Sequence, residues 1–373
     1  MRKRIALILI STLMMIWIPV ALADQEVKAY CVAPLGSGAC ISEQRADEPM
    51  GAAGLSKLPA ILTLCNAFDE NLIDGNATVT VSKSAAAVSG PTAFLQANET
   101  IAASELIRAA VMISAGDAIW ALMEHAFGSE DVFLQNIALT LHAAGVEKTL
   151  SGCLGAGDTF SCRDLLLLGE RALQSETFRT YCVEKYAILH HADGRNTELA
   201  TANKLLTSLS GCVGLLTGSS NTDGYCGLFA CKRGDSTFLC AVLGAPNSNV
   251  RFQTATKLLE EAFANYKTVT LAEPNEPIAE EWQVEGTNGE TIDLYARETV
   301  TLLLKKSDGE PEPQFDVPDA LVPPLDPDYS VGTVTFYAKD GTVLSQLALY
   351  PDHAVVSSDF RAVLMRVIKN YIG

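Results

Sequence analysis

Gly54-Leu55-Ser56-Lys57-Leu58-Pro59-Ala60-Ile61-Leu62-Thr63-Leu64-Cys65 is the stretch on which the reading of this 373-residue chain turns. From residue 61 to 68 the apolar residues recur at helical spacing, so the stretch opens into a buried helix. Residues 54 and 57 are three apart and share one face at its start. A hydroxyl at 54 beside the Lys57 amine would be a nucleophile with its base. Gly54 supplies no side chain. Two triplets follow further along, Ser114-Ala115-Gly116 and Leu216-Thr217-Gly218. Each keeps a hydroxyl, Ser114 or Thr217, and each has a position without a polar group, Gly116 or Leu216.

Outward from that stretch, the first residues set the compartment. Arg2, Lys3 and Arg4 precede an apolar run over 5–20, and Ala21-Leu22-Ala23 is a small-x-small cleavage site before Asp24. This predicts a signal peptide over 1–23 and an exported chain. The run is short for a spanning helix, and no later segment is apolar for long enough to span a bilayer. Removal of 1–23 leaves 350 residues, which suits two domains. It also leaves 24 Lys+Arg against 44 Asp+Glu, a formal charge of −20 that argues against nucleic acid as a partner.

Ten cysteines are an even number, so an exported chain can pair them all, although buried free thiols are the alternative. Cys31 and Cys40 flank a turn over 34–38, and Cys153 and Cys162 bracket a Gly-rich loop. These are the two most bridgeable pairs. No CxxC pair suggests zinc, and no cofactor or metal is expected.

Residues 24–267 read as an α+β domain. Strands are expected at 28–33 and 39–43, helices at 61–68, 102–126, 131–144 and 163–173, a strand pair at 225–231 and 237–243, and a closing helix at 252–266. Strands early and late with helices between them imply a sheet built from both ends of the segment. Residues 268–281, with two prolines and four glutamates in 273–281, read as a linker. A β-rich domain is expected over 282–352, with a hairpin turn at Asp340-Gly341 and a long Pro-rich acidic loop over 308–328. In the last segment, 358–373, Phe360, Val363, Leu364, Val367 and Ile368 share one helical face while Arg361, Arg366 and Lys369 lie off it. Such a helix docks on its own protein or lies in a membrane interface.

The three motifs resemble the S-x-x-K, S-x-N and K-T-G set of the penicillin-recognising serine enzymes. Within them the chain resembles the D-alanyl-D-alanine carboxypeptidases, the low-molecular-mass penicillin-binding proteins. Glu43-Gln44-Arg45-Ala46-Asp47-Glu48-Pro49 is similar to the stretch before that family's nucleophile. Val79-Thr80-Val81-Ser82, Glu105-Leu106-Ile107, Gly128-Ser129-Glu130, Arg163-Asp164-Leu165, Asn203-Lys204-Leu205-Leu206, Gly224-Tyr225-Cys226 and Leu243-Gly244-Ala245-Pro246 follow in the family's order. The resemblance covers roughly residues 27–267. It implies a transpeptidase/β-lactamase-like domain, then a small β-sandwich and a membrane-associating amphipathic helix. It also implies peptidoglycan stem peptide, or a cell-wall protein, as the partner.

In that family a serine attacks the bond between two terminal D-alanines and forms an acyl-enzyme, which water hydrolyses. Here the resemblance places the nucleophile at Gly54, its base at Lys57 and a relay hydroxyl at Ser114. The substrate amide contact falls at Gly116, the carboxylate-orienting cation at Leu216, and strand contacts at Thr217 and Gly218. Backbone N–H groups of Gly54 and Ser219 would form the oxyanion hole. Leu216 is expected to put an apolar wall where an anion would sit. Ser56 is the alternative nucleophile, but it neighbours Lys57, and adjacent helical residues point about 100° apart. Pro59 is expected to disturb the helix start. Three losses in one site imply an inactive homologue that binds or scaffolds in cell-wall metabolism. The alternatives are an active serine-type carboxypeptidase with a rearranged site, and a structural protein with a vestigial cleft.

Other signals are weaker. His190-His191 resembles a metal fragment, but chain neighbours rarely ligate one ion together. Cys182 and Lys185 repeat the i, i+3 spacing away from the motifs, where a core cysteine is the simpler reading. Asn76-Ala77-Thr78 and Asn98-Glu99-Thr100 match a glycosylation pattern with little meaning in a bacterial chain.

Overall fold

In the computed structural model, which describes residues 26–37, 39–287, 289–356 and 368, both ends of the first domain pair into one antiparallel sheet. Its five strands run in the order Ser42–Gln44, Ala29–Pro34, Ser236–Ala245, Gly224–Arg233 and Cys212–Ser220. Period-two patterning decides its two faces. Leu228, Ala230, Leu239, Ala241 and Leu243 enter the main core beneath the helices. Phe229, Cys231, Phe238, Cys240 and Val242 point the other way and are covered by the helix Ser248–Asn265.

The helical layer on the main-core face positions two of the three motifs. A 3-10 turn, Ala53–Lys57, runs straight into the helix Leu58–Asp69. Pro59 lies in the first turn of that helix, where a missing N–H costs nothing. The expected disturbance therefore does not occur; the tight turn precedes the proline. The single helical stretch expected over 102–126 is two helices, Ala103–Ile113 and Gly116–Phe127. Ser114 breaks them by adopting a left-handed conformation at φ 54°, with its N–H bonded back to Ala109 O. The apolar period runs on through the break, so periodicity alone does not mark it.

Cys31 and Cys40 form a disulfide, whereas Cys153 and Cys162 are free and buried. Cys162 starts the helix Cys162–Gln174, whose capping box of Ser161 and Asp164 fixes it on the sheet side of the loop. A hairpin not anticipated from sequence, Tyr186–His190 with Asn196–Ala200, closes around His191. His191 is buried between Glu99 and Thr197, its ring nitrogens 3.0 Å and 2.8 Å from their side-chain oxygens.

The β-rich region starts earlier than expected. Tyr266–Ala272 is a strand, paired with Val300–Lys305, and Ala279–Val284 begins a six-stranded sheet. The region read as linker thus shrinks to a turn over 273–278, because Lys267, Val269 and Leu271 already alternate with Thr268 and Thr270. The joint is tied by Thr268 N–H donating to Ser236 Oγ at 2.8 Å and Lys306 Nζ donating to Phe263 O at 2.7 Å. The acidic stretch 308–328 is not one loop. Glu312–Asp316 adds an edge strand beside Gly332–Tyr337, and Ala320–Leu321 pairs parallel to Ala279–Val284. Those charges sit on an edge strand, where they oppose pairing with another chain.

The signal peptide assigned to 1–23 lies outside the described residues. So does the helix assigned to 358–373 with Phe360, Val363, Leu364 and Val367, except Ile368, which is exposed. Among the described residues no helix is long and apolar enough to cross a membrane.

Candidate active site

Gly54, Lys57, Ser114, Thr217, Gly218 and Ser219 line one cleft of about 1160 Å³ between the helical layer and the sheet's edge strand. Gly116 and Leu216 are not on its lining. Gly116 lies behind Lys57, and Leu216, 2% exposed, packs into the main core. The apolar wall expected from Leu216 is therefore beneath the cleft rather than in it.

Gly54 is packed against the edge strand. A Cβ at 54 would stand 3.3 Å from Gly218 Cα, and one at 218 would come 2.4 Å from Gly54 N. Two glycines facing each other let the backbones approach more closely than any side chain permits. A side chain at 54 would therefore make a tight contact with main chain, and a side chain at 218 would collide with the Gly54 amide. The same tightness appears at Gly116. A Cβ there would lie 2.8 Å from Val88 Cγ1 and 3.2 Å from Lys57 Nζ.

Lys57 is 8% exposed, and its Nζ donates to Ser114 O at 2.8 Å. Burial pushes its pKa down to about 8, partly offset by the Asp117 carboxylate. The left-handed turn at Ser114 presents that carbonyl to the amine. Asp117 is buried and accepts from Ala93 N–H and Leu95 N–H, pinning the loop beside the cleft. Ser56 Oγ donates to Ala53 O at 2.8 Å, a contact internal to the 3-10 turn. Its hydroxyl is oriented by that carbonyl and not by Lys57.

One residue of the cleft was missed in the sequence. Arg251, on the helix Ser248–Asn265, lines the cleft and is 4% exposed. Its Nη1 donates to Gly218 O and Cys226 O, each at 3.1 Å, and Nη2 reaches Ser248 Oγ at 3.5 Å. The guanidinium lies 4.4 Å from the Phe252 ring centroid and 5.7 Å from that of Tyr225. Nε has no partner, and no carboxylate is paired with the group among the described residues. Burial lowers its pKa to about 10. The signal was available: Arg251 falls on the same helical face as Ala255, Leu258 and Ala262, where a charge is out of place.

The remaining candidates fall away from the cleft. His191 is engaged as described above, and His190 Nδ1 lies 2.7 Å from Asn196 Oδ1. Cys182 is buried, with its thiol on Val213 O at 3.4 Å and its pKa pushed up to about 12 by burial. Among the described residues the metal-like cluster is Cys31, Cys40 and Glu43, whose two sulfurs are already joined.

Residues 19–247 match the D-alanyl-D-alanine carboxypeptidase family, and residues 266–357 match the penicillin-binding protein 5 C-terminal domain. D-alanyl-D-alanine carboxypeptidase DacF of Bacillus subtilis is 23% identical across 100% of this chain and 99% of its own length. DacC of Escherichia coli is 26% identical across 83% of this chain and 80% of its own. Penicillin-binding protein 5 from Haemophilus influenzae superposes with a TM-score of 0.72 at 21% identity, covering 89% of this chain and 98% of that one. The fold is that of the penicillin-binding proteins, a mixed α+β domain followed by a β-rich one, and the chain belongs to the D-alanyl-D-alanine carboxypeptidase family.

Proposed function

We propose that this chain is a catalytically inactive, exported member of its family that binds a carboxylate-bearing wall peptide, acting as a binding or scaffolding protein in peptidoglycan metabolism. The observation that carries the binding reading is Arg251, a buried cation in the cleft without an acidic partner. Desolvating a guanidinium costs several kcal/mol unless an anion meets it, so the arrangement suits a ligand that brings the anion. The support for inactivity is Gly54: acyl transfer needs a nucleophile, and glycine has no side chain to supply one. Export rests on the Arg2-Lys3-Arg4 run and the apolar segment after it. The 358–373 helix, with its apolar stripe, suits peripheral contact with the outer face of the cytoplasmic membrane.

The test is calorimetric titration with a peptide ending in D-alanyl-D-alanine and with its C-terminal amide, beside incubation with a fluorescent penicillin. Binding of the acid but not the amide, without a covalent adduct, is the expected result. A stoichiometric penicillin adduct would instead show that a nucleophile survives in the chain and would overturn the inactive reading. Failure of both peptides to bind would leave the cleft vestigial.

A further inference from the structure

Eight cysteines are free among the described residues, and two of them face each other across the margin of the main sheet. Cys212 opens the edge strand Cys212–Ser220 and stands in register opposite Cys231 of the neighbouring strand. Lys232 N–H bonds to Gly211 O at 2.8 Å, while Cys212 N–H turns away to Leu209 O at 3.2 Å. That pattern marks a non-hydrogen-bonded pair, in which opposed Cα atoms are about 4.5 Å apart and the side chains approach most closely. Disulfides need Cα atoms about 4.4–6.8 Å apart. Cys212 Sγ donates to Gly214 O at 3.5 Å and leaves that carbonyl when the bridge forms. Their opposed places in the ladder, next to a register shift between Phe229 and Cys231, put the two cysteines within the separation a disulfide spans.

We propose that Cys212 and Cys231 are a disulfide-forming pair, a second covalent bridge at the base of the strand that carries Thr217 and Gly218 to the cleft. The oxidant is a low-molecular-mass disulfide such as oxidised glutathione. Cys212 sulfur, as thiolate, attacks one sulfur of the oxidant and breaks its S–S bond, releasing one thiol. Cys231, losing its proton, then displaces the second thiol from the mixed disulfide. Two protein thiols are oxidised, one small disulfide is reduced to two thiols, and the two protons end on those thiols.

The pair is also set apart chemically. Cys212 is half-buried, whereas Cys231 is buried. Interaction with Cys231 holds the Cys212 thiol below its ordinary pKa, while interaction with Cys212 and burial push Cys231 up. Burial raises each of the other six, with Cys226 pushed up to about 11 and Cys153 to about 12.

The test uses the full chain equilibrated with oxidised glutathione, alkylated without reduction and mapped by mass spectrometry. The Cys31–Cys40 bridge, required to be present in the sample, is the internal control for oxidation. The expected result is a peptide pair joined through Cys212 and Cys231, with an intact mass lower by two further hydrogens than one bridge alone gives. Cys231→Ser should retain only the first bridge and leave Cys212 glutathionylated. Alkylation of both Cys212 and Cys231 in wild-type protein whose Cys31–Cys40 bridge has formed would overturn the proposal, and that readout does not depend on any variant folding.

Discussion

Placing a serine at position 54 should weaken this protein. In Gly54→Ser the new Cβ meets Gly218 Cα at 3.3 Å and Thr217 O at 3.8 Å. Both neighbours are main chain, which cannot rotate aside as a side-chain tip can. Overpacking of this kind costs about 1–3 kcal/mol. The opposing effect is the reduced freedom of the unfolded chain on losing a glycine, about 0.4–1 kcal/mol. The steric term wins, for a net loss on the order of 1–2 kcal/mol. For a domain of this size that is a fall in Tm of about 2–8 °C. Differential scanning calorimetry of wild type and Gly54→Ser reads it, with a fluorescent penicillin added to the same samples. Gly116→Asn must also displace Val88 Cγ1 at 2.8 Å, so it needs Val88→Ala beside it. Leu216→Lys is the most damaging of the three restorations, since it buries an ammonium in a core position 2% exposed, at a cost of several kcal/mol. The triple restoration is therefore expected to unfold or aggregate rather than acylate. A Gly54→Ser protein that melts at or above the wild-type temperature, or that traps penicillin on its own, would refute the packing argument.

Three further outcomes are expected. Arg251→Gln should weaken binding of a carboxylate-terminated peptide about tenfold or more, about 1.4 kcal/mol, and leave the amidated peptide unaffected, as read by calorimetry. Lys57 has a folded pKa near 8 against an ordinary 10.5, so the unfolded chain binds the extra proton between those values. Stability from this group therefore rises as pH climbs from about 8 to about 10.5 and is flat below about 8. Denaturant melts across that window should show wild type gaining on Lys57→Met, and a pH-independent difference would contradict the buried-amine reading. Limited proteolysis should nick the exposed turn at 273–276, yet the pieces should co-elute, because Tyr266–Ala272 remains paired with Val300–Lys305. Separation of the two fragments without denaturant would show that the pairing is weak.

The sequence by itself determined the family and the α+β order of the first domain, and it shows that Gly54, Gly116 and Leu216 carry no polar side chain. These rest on local signals: motif order, period-two strands such as Ser236–Ala245, and the helical period after residue 58. Only the tertiary structure decided what surrounds those positions. Gly54 closes on Gly218, and Gly116 is hemmed in by Val88 and Lys57, through contacts between residues 164 and 28 to 59 positions apart in the chain. Leu216 was legible as an apolar residue in the third triplet but not as a core residue, because the face of an edge strand is set by its partner's register. Arg251 shows the same limit from the other side. Its helix position marked it as unusual, but its place in the cleft follows from the packing of that helix on the sheet, and its missing counter-charge can be seen only when every neighbour is in place. Local patterning reflects the energetics of neighbours in the chain, whereas a site is made by desolvation and contact between distant segments, which are properties of the folded whole.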